Sequence, residues 1–175
     1  MQLFKKNIKT SAGPVVAYSD GKSLVGVFFR HNDFIQKVYK NIKLEIIESD
    51  LPVFKKLQLQ LEQYFNKKRK DFNLPLQLNG SAFQKKAWQS LLKIPFGKTK
   101  SYGDQAKAMK SQAVRAIGSA NGKNPFVIII PCHRVVRSNG QLGGYSGGLE
   151  IKKYLLEIEG AAPLAGNKAL PTNLR

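Results

Sequence analysis

The one cysteine of the 175-residue sequence, Cys132, stands directly before one of its two histidines, His133. An apolar run, residues 126–130, leads into this pair, and such a run bounded by prolines is typical of a buried segment. Only a thiolate is a good nucleophile, and a nearby imidazole or positive charge lowers the pKa of a thiol enough to form it. A lone cysteine is more often an inert core residue, but His133 and the following Arg134 favour a nucleophile at the edge of a core.

The charge of the chain indicates a polyanionic partner. Lys and Arg number 29 and Asp and Glu 11, which gives a net charge of +18, and nucleic acid is the commonest partner of so basic a protein. Lysines outnumber arginines, which suits phosphate contacts better than reading of base edges. One cysteine excludes an internal disulfide and every multi-cysteine zinc site. We therefore expect no metal, no cofactor, no membrane segment, no obligatory protein partner, and a location in the cytoplasm with the DNA.

The first part of the sequence predicts short strands followed by a helix. Strands are expected at residues 3–9, 15–18, 24–29 and, on a weaker pattern, 42–47. A helix begins at Leu51-Pro52 and places Phe54, Leu57, Leu61 and Phe65 on one face. The basic run 67–70 is either a solvated helix end or a phosphate clamp. A change in composition near residues 74–80 divides the chain into domains at 1–78 and 79–160, with a mobile tail at 161–175.

The second part predicts mainly helices. One helix begins near Ser81, a second follows a capping box formed by Ser101 and Asp104, and a third spans residues 113–120. The last two form a candidate helix-turn-helix. A helical wheel of the third places Ala113, Val114, Ile117 and Ala120 against the core, and Arg115, Ala116, Gly118 and Ser119 on the opposite face. That face carries one long cation among small side chains, so it can approach a DNA groove closely.

The stretch after the cysteine predicts a glycine-rich loop and a last helix. Residues 143–148 form a loop able to lie against a flat ligand; a phosphate cradle is the competing interpretation, but the P-loop pattern is missing. The helix at residues 149–159 is expected to turn Ile151, Tyr154, Leu155 and Ile158 inward. Glu159 ends it beside the apolar face, where a carboxylate opposes the helix dipole, which favours a functional role.

These residues together resemble the O6-alkylguanine-DNA alkyltransferases. The resemblance covers about residues 61–160 in the order found in that family. It rests on the segments Gly80–Gln84 with Trp88, Ile94–Gly103, Val114–Gly118, Asn124–Pro125, Ile130–Val136, Gly144–Leu149 and Leu155–Gly160. It implies an α/β (α+β) fold, with a strand-rich amino-terminal α/β domain followed by a mostly helical DNA-binding domain. It also implies direct-reversal repair, in which an alkyl group passes irreversibly from the O6 atom of guanine in double-stranded DNA to Cys132.

The resemblance further implies a role for each site residue. Cys132 would be the nucleophile, His133 would draw its proton through a water, and Glu159 would orient His133, as in hydrolase triads. Tyr102 would donate to the departing guanine and Asn124 would brace the cysteine loop. Arg115 would fill the place of the extruded base. The remaining implied residues are Ala116 and Ser119 at the DNA, and Val135, Tyr145, Ser146 and Gly147 in the base pocket.

Two other classes of protein remain open from the residues alone. One is a DNA-binding module without chemistry, which would lack the nucleophile that Cys132 supplies. The other is a cysteine hydrolase, which would need an oxyanion hole and a regenerating water that the sequence does not show. For an alkyltransferase, we expect the alkyl group to overfill a packed site between residues 128–130 and the last helix and to lower the stability of the protein.

Overall fold

The computed structural model describes residues 1–29 and 34–161. The amino-terminal part is a four-stranded sheet of β1 (Gln2–Ile8), β2 (Val15–Ser19), β3 (Leu24–Phe28) and β4 (Glu45–Glu48) in the order β3-β2-β1-β4. All neighbours are antiparallel except β1 and β4, which are parallel. The first three predicted strands are confirmed, whereas the fourth begins three residues later than expected. A short helix, α1 (Phe34–Val38), was not predicted. His31 and residues 162–175, most of the expected tail, lie outside the described residues.

The helix α2 (Pro52–Phe65) connects the sheet to the rest of the molecule. Pro52 occupies its first turn, where no intrahelical N–H is needed. Phe54, Leu57 and Leu61 are buried as the spacing predicted, but Tyr64 is fully buried in place of the half-buried Phe65. This helix therefore presents a hydroxyl group, and not only apolar surface, to the interior.

The second part is helical with one small two-stranded sheet, as predicted for the fold class. It contains α3 (Ala82–Leu91), β5 (Lys100–Ser101), α4 (Tyr102–Ala108), α5 (Val114–Gly122), β6 (Val135–Val136) and α6 (Leu149–Ile158). The capping box at α4 is confirmed: the Ser101 hydroxyl accepts from the Asp104 N–H, and the Asp104 carboxylate accepts from the Ser101 N–H. The helices α3, α4 and α5 share a small core made of Ala87, Ala106, Met109, Ile117 and Ala120.

Both parts of the chain contribute to the main hydrophobic core. Val27 of β3, Phe54 of α2 and Trp88 of α3 lie in it together with residues 126–130. The backbone of Val27 donates to Pro125 O at 2.7 Å and accepts from the Val127 N–H at 3.1 Å. The apolar run 126–130 is buried as predicted, and it reaches the cysteine as irregular backbone rather than as a strand.

Two helix faces differ from the sequence prediction. On α5, Ala113 and Val114 were placed against the core, but both are exposed, Val114 by 41%. Both lie at the start of the helix, which extends past the small core. Of the four residues predicted to face the core, Ile117 and Ala120 are therefore the two that are buried. On α6, Tyr154 is exposed and Lys152 is fully buried in its place. In the parts of the chain that the structure describes, no helix has the length and apolar character needed to cross a membrane.

Candidate active site

The thiol of Cys132 lies at the junction of the core and a surface cavity. A single turn of 3-10 helix, Cys132–Arg134, carries it between the buried run and β6. The Cys132 N–H donates to Ile130 O at 2.8 Å, and the Arg134 N–H donates to Pro131 O at 3.0 Å. The strand β6 pairs in parallel with β5, which leads directly into Tyr102. The local backbone thus places Cys132 near the start of α4 with only 5% of its surface exposed.

Asn124 holds the backbone that carries the cysteine. Its Nδ2 group donates to Ile130 O at 2.7 Å and to Cys132 Sγ at 3.2 Å, and its Oδ1 accepts from the Phe126 N–H at 3.0 Å. The same side chain therefore fixes both ends of the apolar run and contacts the sulfur. This is the bracing position that the sequence resemblance implied for Asn124.

The resting state of Cys132 is the protonated thiol. Burial raises its pKa above the ordinary value, because a charged sulfur would lose its hydration, while the bond from Asn124 and the nearby charge of Lys152 act in the opposite direction. A thiolate at this position therefore needs a base to remove the proton as the reaction proceeds.

His133 is fully buried and is paired with Glu159 at the end of α6. Because a carboxylate only accepts, His133 carries its hydrogen on Nε2 and donates to Glu159 Oε1 at 2.7 Å. Burial lowers the pKa of His133 more strongly than Glu159 raises it, so the imidazole is neutral at neutral pH. Its Nδ1 is buried without a hydrogen-bond partner among the described residues. A neutral imidazole with a free Nδ1 is ready to accept a proton.

Four residues supply donors to the Glu159 carboxylate. Besides His133, they are the Tyr64 hydroxyl at 2.7 Å, Arg134 Nε at 2.9 Å and Nη2 at 3.1 Å, and the Gly97 N–H at 3.2 Å. Burial alone would raise the pKa of Glu159, but the hydrogen bonds from His133 and Arg134 and the charge of the Arg134 guanidinium outweigh it and lower this pKa to about 2. Gly97 has φ 74°, and a Cβ there would lie 2.9 Å from the Glu159 carbonyl oxygen, so this close approach requires glycine.

A cavity of about 570 Å³ opens in front of the thiol. Its lining includes Tyr102, Cys132, Arg137, Gly143, Tyr145 and Ser146. The implied pocket residues Tyr145 and Ser146 thus line it. The other two do not: Val135 is buried, and Gly147 packs against the rings of Phe29 and Tyr145.

Tyr102 forms one wall of the cavity, and the glycine-rich loop fits around it. A Cβ at Gly143, which has φ 68°, would lie 3.0 Å from the Tyr102 hydroxyl, so a larger residue would push the loop off this ring. The Tyr102 pKa is raised by burial and by the nearby Cys132, and Arg137 acts in the opposite direction. Tyr102 is therefore protonated and able to donate.

The exposed face of α5 lies beside this cavity. Arg115, Ala116 and Ser119 are exposed as predicted, and Gly118 lies next to the ring of Tyr102. The buried amides of Gln105 on α4 and Asn121 on α5 bond each other at 2.7 and 3.2 Å. They fix α5 relative to α4, so α5 offers a flat face with Arg115 as its long cation.

The sequence indicated Arg134 only as a charge beside Cys132, and it indicated no role for two other residues of the site, Tyr64 and Lys152. Lys152 Nζ donates to Val135 O at 2.6 Å, to Leu142 O, and to Gly144 O at 3.3 Å. Burial lowers its pKa to about 8. Lys152 stands three and four residues before the buried Leu155 and Leu156, so the helical spacing places a cation on the apolar face of this helix. That spacing was the feature of the sequence that could have indicated a role for Lys152. Tyr64 lies 95 residues from Glu159 in the chain, and nothing local indicates that contact.

No metal site is apparent at this centre. Within residues 1–29 and 34–161, no three His, Cys, Asp or Glu side chains group so that they could hold a metal ion.

Comparisons with known proteins agree on one family for both parts of the chain. Residues 3–78 match the family described as "6-O-methylguanine DNA methyltransferase, ribonuclease-like domain", and residues 82–161 match its "DNA binding domain". A methylated-DNA–protein-cysteine methyltransferase of Methanosarcina mazei is 39% identical over 153 residues, which cover 87% of this chain and 94% of that protein. The constitutive Bacillus subtilis protein of the same name is 38% identical over 153 residues, covering 86% and 92%.

A solved structure shows the same fold. The crystal structure of Mycobacterium tuberculosis OGT in complex with DNA superposes with a TM-score of 0.78 at 34% sequence identity. The match covers 91% of this chain and 93% of that chain. The strand-rich and helical parts therefore correspond together, and not as separate fragments.

Proposed function

Because the chain belongs to the family of 6-O-methylguanine DNA methyltransferases, we propose that Cys132 is the residue to which the alkyl group is transferred. The activity is that of a methylated-DNA–protein-cysteine methyltransferase, which repairs DNA by direct reversal through alkyl transfer to a cysteine of the protein. Cys132 is the one cysteine of the sequence. The observation that carries the assignment is its position at the cavity, with the buried His133–Glu159 pair directly behind it.

The other site residues have complementary roles in this proposal. The Cys132 proton passes through a water to Nδ1 of His133, and Glu159 stabilises the resulting imidazolium through Nε2. The thiolate then attacks the alkyl carbon, so that a C–S bond forms as the bond to guanine O6 breaks. Tyr102 donates towards the departing guanine and makes it a better leaving group. The guanine leaves as an anion and takes up a proton, and the imidazolium of His133 releases one, so that overall the thiol hydrogen is exchanged for the alkyl group without a further reactant.

The partner in this proposal is double-stranded DNA that carries O6-alkylguanine. The net charge of +18 supports it, as does the family's DNA-binding domain at residues 82–161. The flat face of α5 would lie along a groove, and Arg115 would occupy the space of the extruded guanine. We place the domain boundary at residue 78 and the protein in the cytoplasm with the DNA.

The reaction is single-turnover in this proposal. A thioether at Cys132 has no good leaving group, so a water activated by His133 has no bond at the sulfur that it can readily cleave. Each protein molecule therefore repairs one lesion. This separates the site from a cysteine hydrolase, which would have to release its covalent intermediate to water.

Intact-protein mass spectrometry tests the assignment. The wild-type protein incubated with DNA containing O6-methylguanine should gain one methyl group per molecule permanently. Cys132→Ser should gain none and should still bind DNA, because phosphate contacts and not the sulfur supply the affinity. Transfer by Cys132→Ser at a rate near that of the wild type would refute the role of Cys132. A wild-type protein that binds but gains no mass would be a binding module.

A further inference from the structure

We propose that Arg137 binds a backbone phosphate of the nucleotide whose base enters the cavity. This assignment rests on the proposed function, and it adds a DNA contact that lies outside α5. The sequence indicated no role for Arg137. In the structure, Arg137 lines the cavity that also contains the Cys132 thiol.

The backbone around Arg137 is fixed by a tight turn. The chain leaves β6 at Val136 and reverses over residues 137–141, where the Gly140 N–H donates to Arg137 O at 2.9 Å and the Arg137 N–H donates to Gln141 O at 2.8 Å. The side chain is exposed and donates from Nη1 to Gln141 Oε1 at 3.2 Å. A guanidinium has five N–H donors in a planar fork, and the bond to Gln141 Oε1 is the one side-chain bond that Arg137 donates within the described residues.

Arg137 brings a positive charge to the lining of the cavity. Of the described residues that line the cavity, it is the one with a cationic side chain. Its charge also reaches the hydroxyl of Tyr102 closely enough to act against the raised pKa of that group. The cation therefore lies within electrostatic reach of the proposed donor to guanine.

The geometry of a nucleotide accounts for this cation. When a base sits in the cavity with its O6 atom near Cys132, the sugar and the two flanking phosphates remain at the opening. A phosphate there meets a guanidinium, which binds two of its oxygens at once and loses less hydration than an ammonium group. Arg137 would thus hold the backbone after the base has left the stack, whereas Arg115 acts on the stack itself.

Three substrates separate these roles: free O6-benzylguanine base, a single-stranded oligonucleotide with O6-methylguanine, and the same oligonucleotide in a duplex. The free base lacks a phosphate, and the single strand has a phosphate but no duplex to open. Transfer rates to Cys132 are measured by intact mass for the wild type, Arg137→Gln, Arg137→Lys and Arg115→Ala. Lys22→Gln, at an exposed turn between β2 and β3, is the control with the same loss of charge.

A phosphate contact at Arg137 predicts a specific pattern. In Arg137→Gln, the ratio of the single-strand rate to the free-base rate should fall by about tenfold, and the duplex rate should fall with it. Arg137→Lys should recover part of that ratio because it keeps the charge. Arg115→Ala should instead lower the duplex rate relative to the single-strand rate. The salt dependence of DNA binding should weaken by about one unit of slope in Arg137→Gln.

Other outcomes would overturn the proposal. If all three rates fall together in Arg137→Gln, the side chain acts by supporting Tyr102 or the 137–141 turn. If Lys22→Gln shows the same change of ratio, the effect is one of overall charge. A wild-type protein that gains no mass from any substrate would refute the proposed function itself, whereas normal wild-type transfer with an unchanged ratio in Arg137→Gln refutes only the phosphate contact.

Discussion

Glu159 illustrates how side chains can outweigh the local preference of a helix. A carboxylate at the last turn of α6 faces the negative end of the helix dipole, which is unfavourable by a few tenths to about 1 kcal/mol. Hydrogen bonds from Tyr64, Gly97, His133 and Arg134 all converge on it. Burial alone would raise its pKa, but the bonds from His133 and Arg134 lower it to about 2. The residue is thus negatively charged at neutral pH and orients His133.

The first prediction concerns the acid stability of the protein. The pKa of Glu159 is lowered from 4.5 to about 2, so the ionised group stabilises the fold above pH 4.5 and loses this contribution as the pH falls towards 2. This difference between the two pKa values of Glu159 corresponds to a contribution of roughly 3 kcal/mol to the free energy of unfolding. In Glu159→Gln, we expect a lower free energy of unfolding at pH 6 and a flatter profile between pH 5 and 2, measured by urea denaturation.

The control for this prediction is Glu157→Gln on the exposed side of the same helix. The Glu157 side chain is half exposed and lies 3.9 Å from Lys153 Nζ, so it should change stability by less than about 0.5 kcal/mol. Profiles of Glu159→Gln and wild type that run parallel down to pH 2 would contradict the proposed charge on Glu159.

At the scale of elements, α6 connects the pocket loop to the core. Its Lys152 is buried, forms no ion pair within the described part of the chain, and donates to the carbonyls of Val135, Leu142 and Gly144. The first belongs to β6, the second lies directly before the glycine-rich loop, and the third belongs to that loop. Lys152 therefore fixes this loop against β6, and its charge lies close enough to Cys132 to favour the thiolate.

The second prediction concerns this contact. Lys152→Met keeps the length of the side chain but removes every donor, and leaving buried carbonyls unpaired should lower the free energy of unfolding by about 2 kcal/mol. The reactivity of Cys132 towards iodoacetamide at neutral pH should fall as well, because its pKa rises further. Lys153→Met, one residue away and paired with Glu157, is the control. A variant Lys152→Met with wild-type stability and thiol reactivity would show that the contacts are not needed.

The sequence predicted those elements whose own pattern determines them. The α4 capping box, the first three strands and the buried positions of Phe54, Leu57 and Leu61 on α2 follow from local chemistry, and each is confirmed. The prediction that Val114 faces the core was wrong. Periodicity shows which residues share a helix face, but it does not show how far the neighbouring helices cover that face. The side chains of Tyr64 and Lys152 were missed for a related reason: their partners are selected by packing between distant segments.

At the scale of the whole molecule, the strand-rich part of the chain reaches the candidate active site. Nothing in its sequence indicated a reaction, yet Tyr64 of α2 donates to the carboxylate that orients His133. The edge strand β3 also pairs with the backbone at Pro125 and Val127 on the way to Cys132. The two proposed domains thus share one core, and loosening either is expected to disturb the position of the thiol.

The position of Cys132 at a cavity changes the effect that alkylation is expected to have on the stability of the protein. The sequence suggested that an alkyl group would overfill a packed site between residues 128–130 and the last helix. The structure instead places Cys132 on the wall of a cavity of about 570 Å³, into which a methyl group can extend without displacing the core. What the reaction changes is the sulfur itself, which accepts a hydrogen bond from Asn124 at 3.2 Å and becomes a crowded thioether with little acceptor strength.

The last prediction follows from this contact, because Asn124 also holds Ile130 and Phe126. Weakening its bond to the sulfur should cost about 1 kcal/mol, which lowers the Tm of a chain of this length by roughly 2–4 °C. Differential scanning fluorimetry on unmodified and fully methylated protein, each purified away from DNA, measures the change; protein treated with unmethylated DNA is the control. In Asn124→Ala, which lacks the contact, methylation should no longer alter Tm. An unchanged or higher Tm of the methylated wild type would mean that the Asn124 bond to sulfur does not stabilise the fold. A fall in Tm well beyond this range would instead support the expectation from the sequence that the alkyl group overfills a packed site.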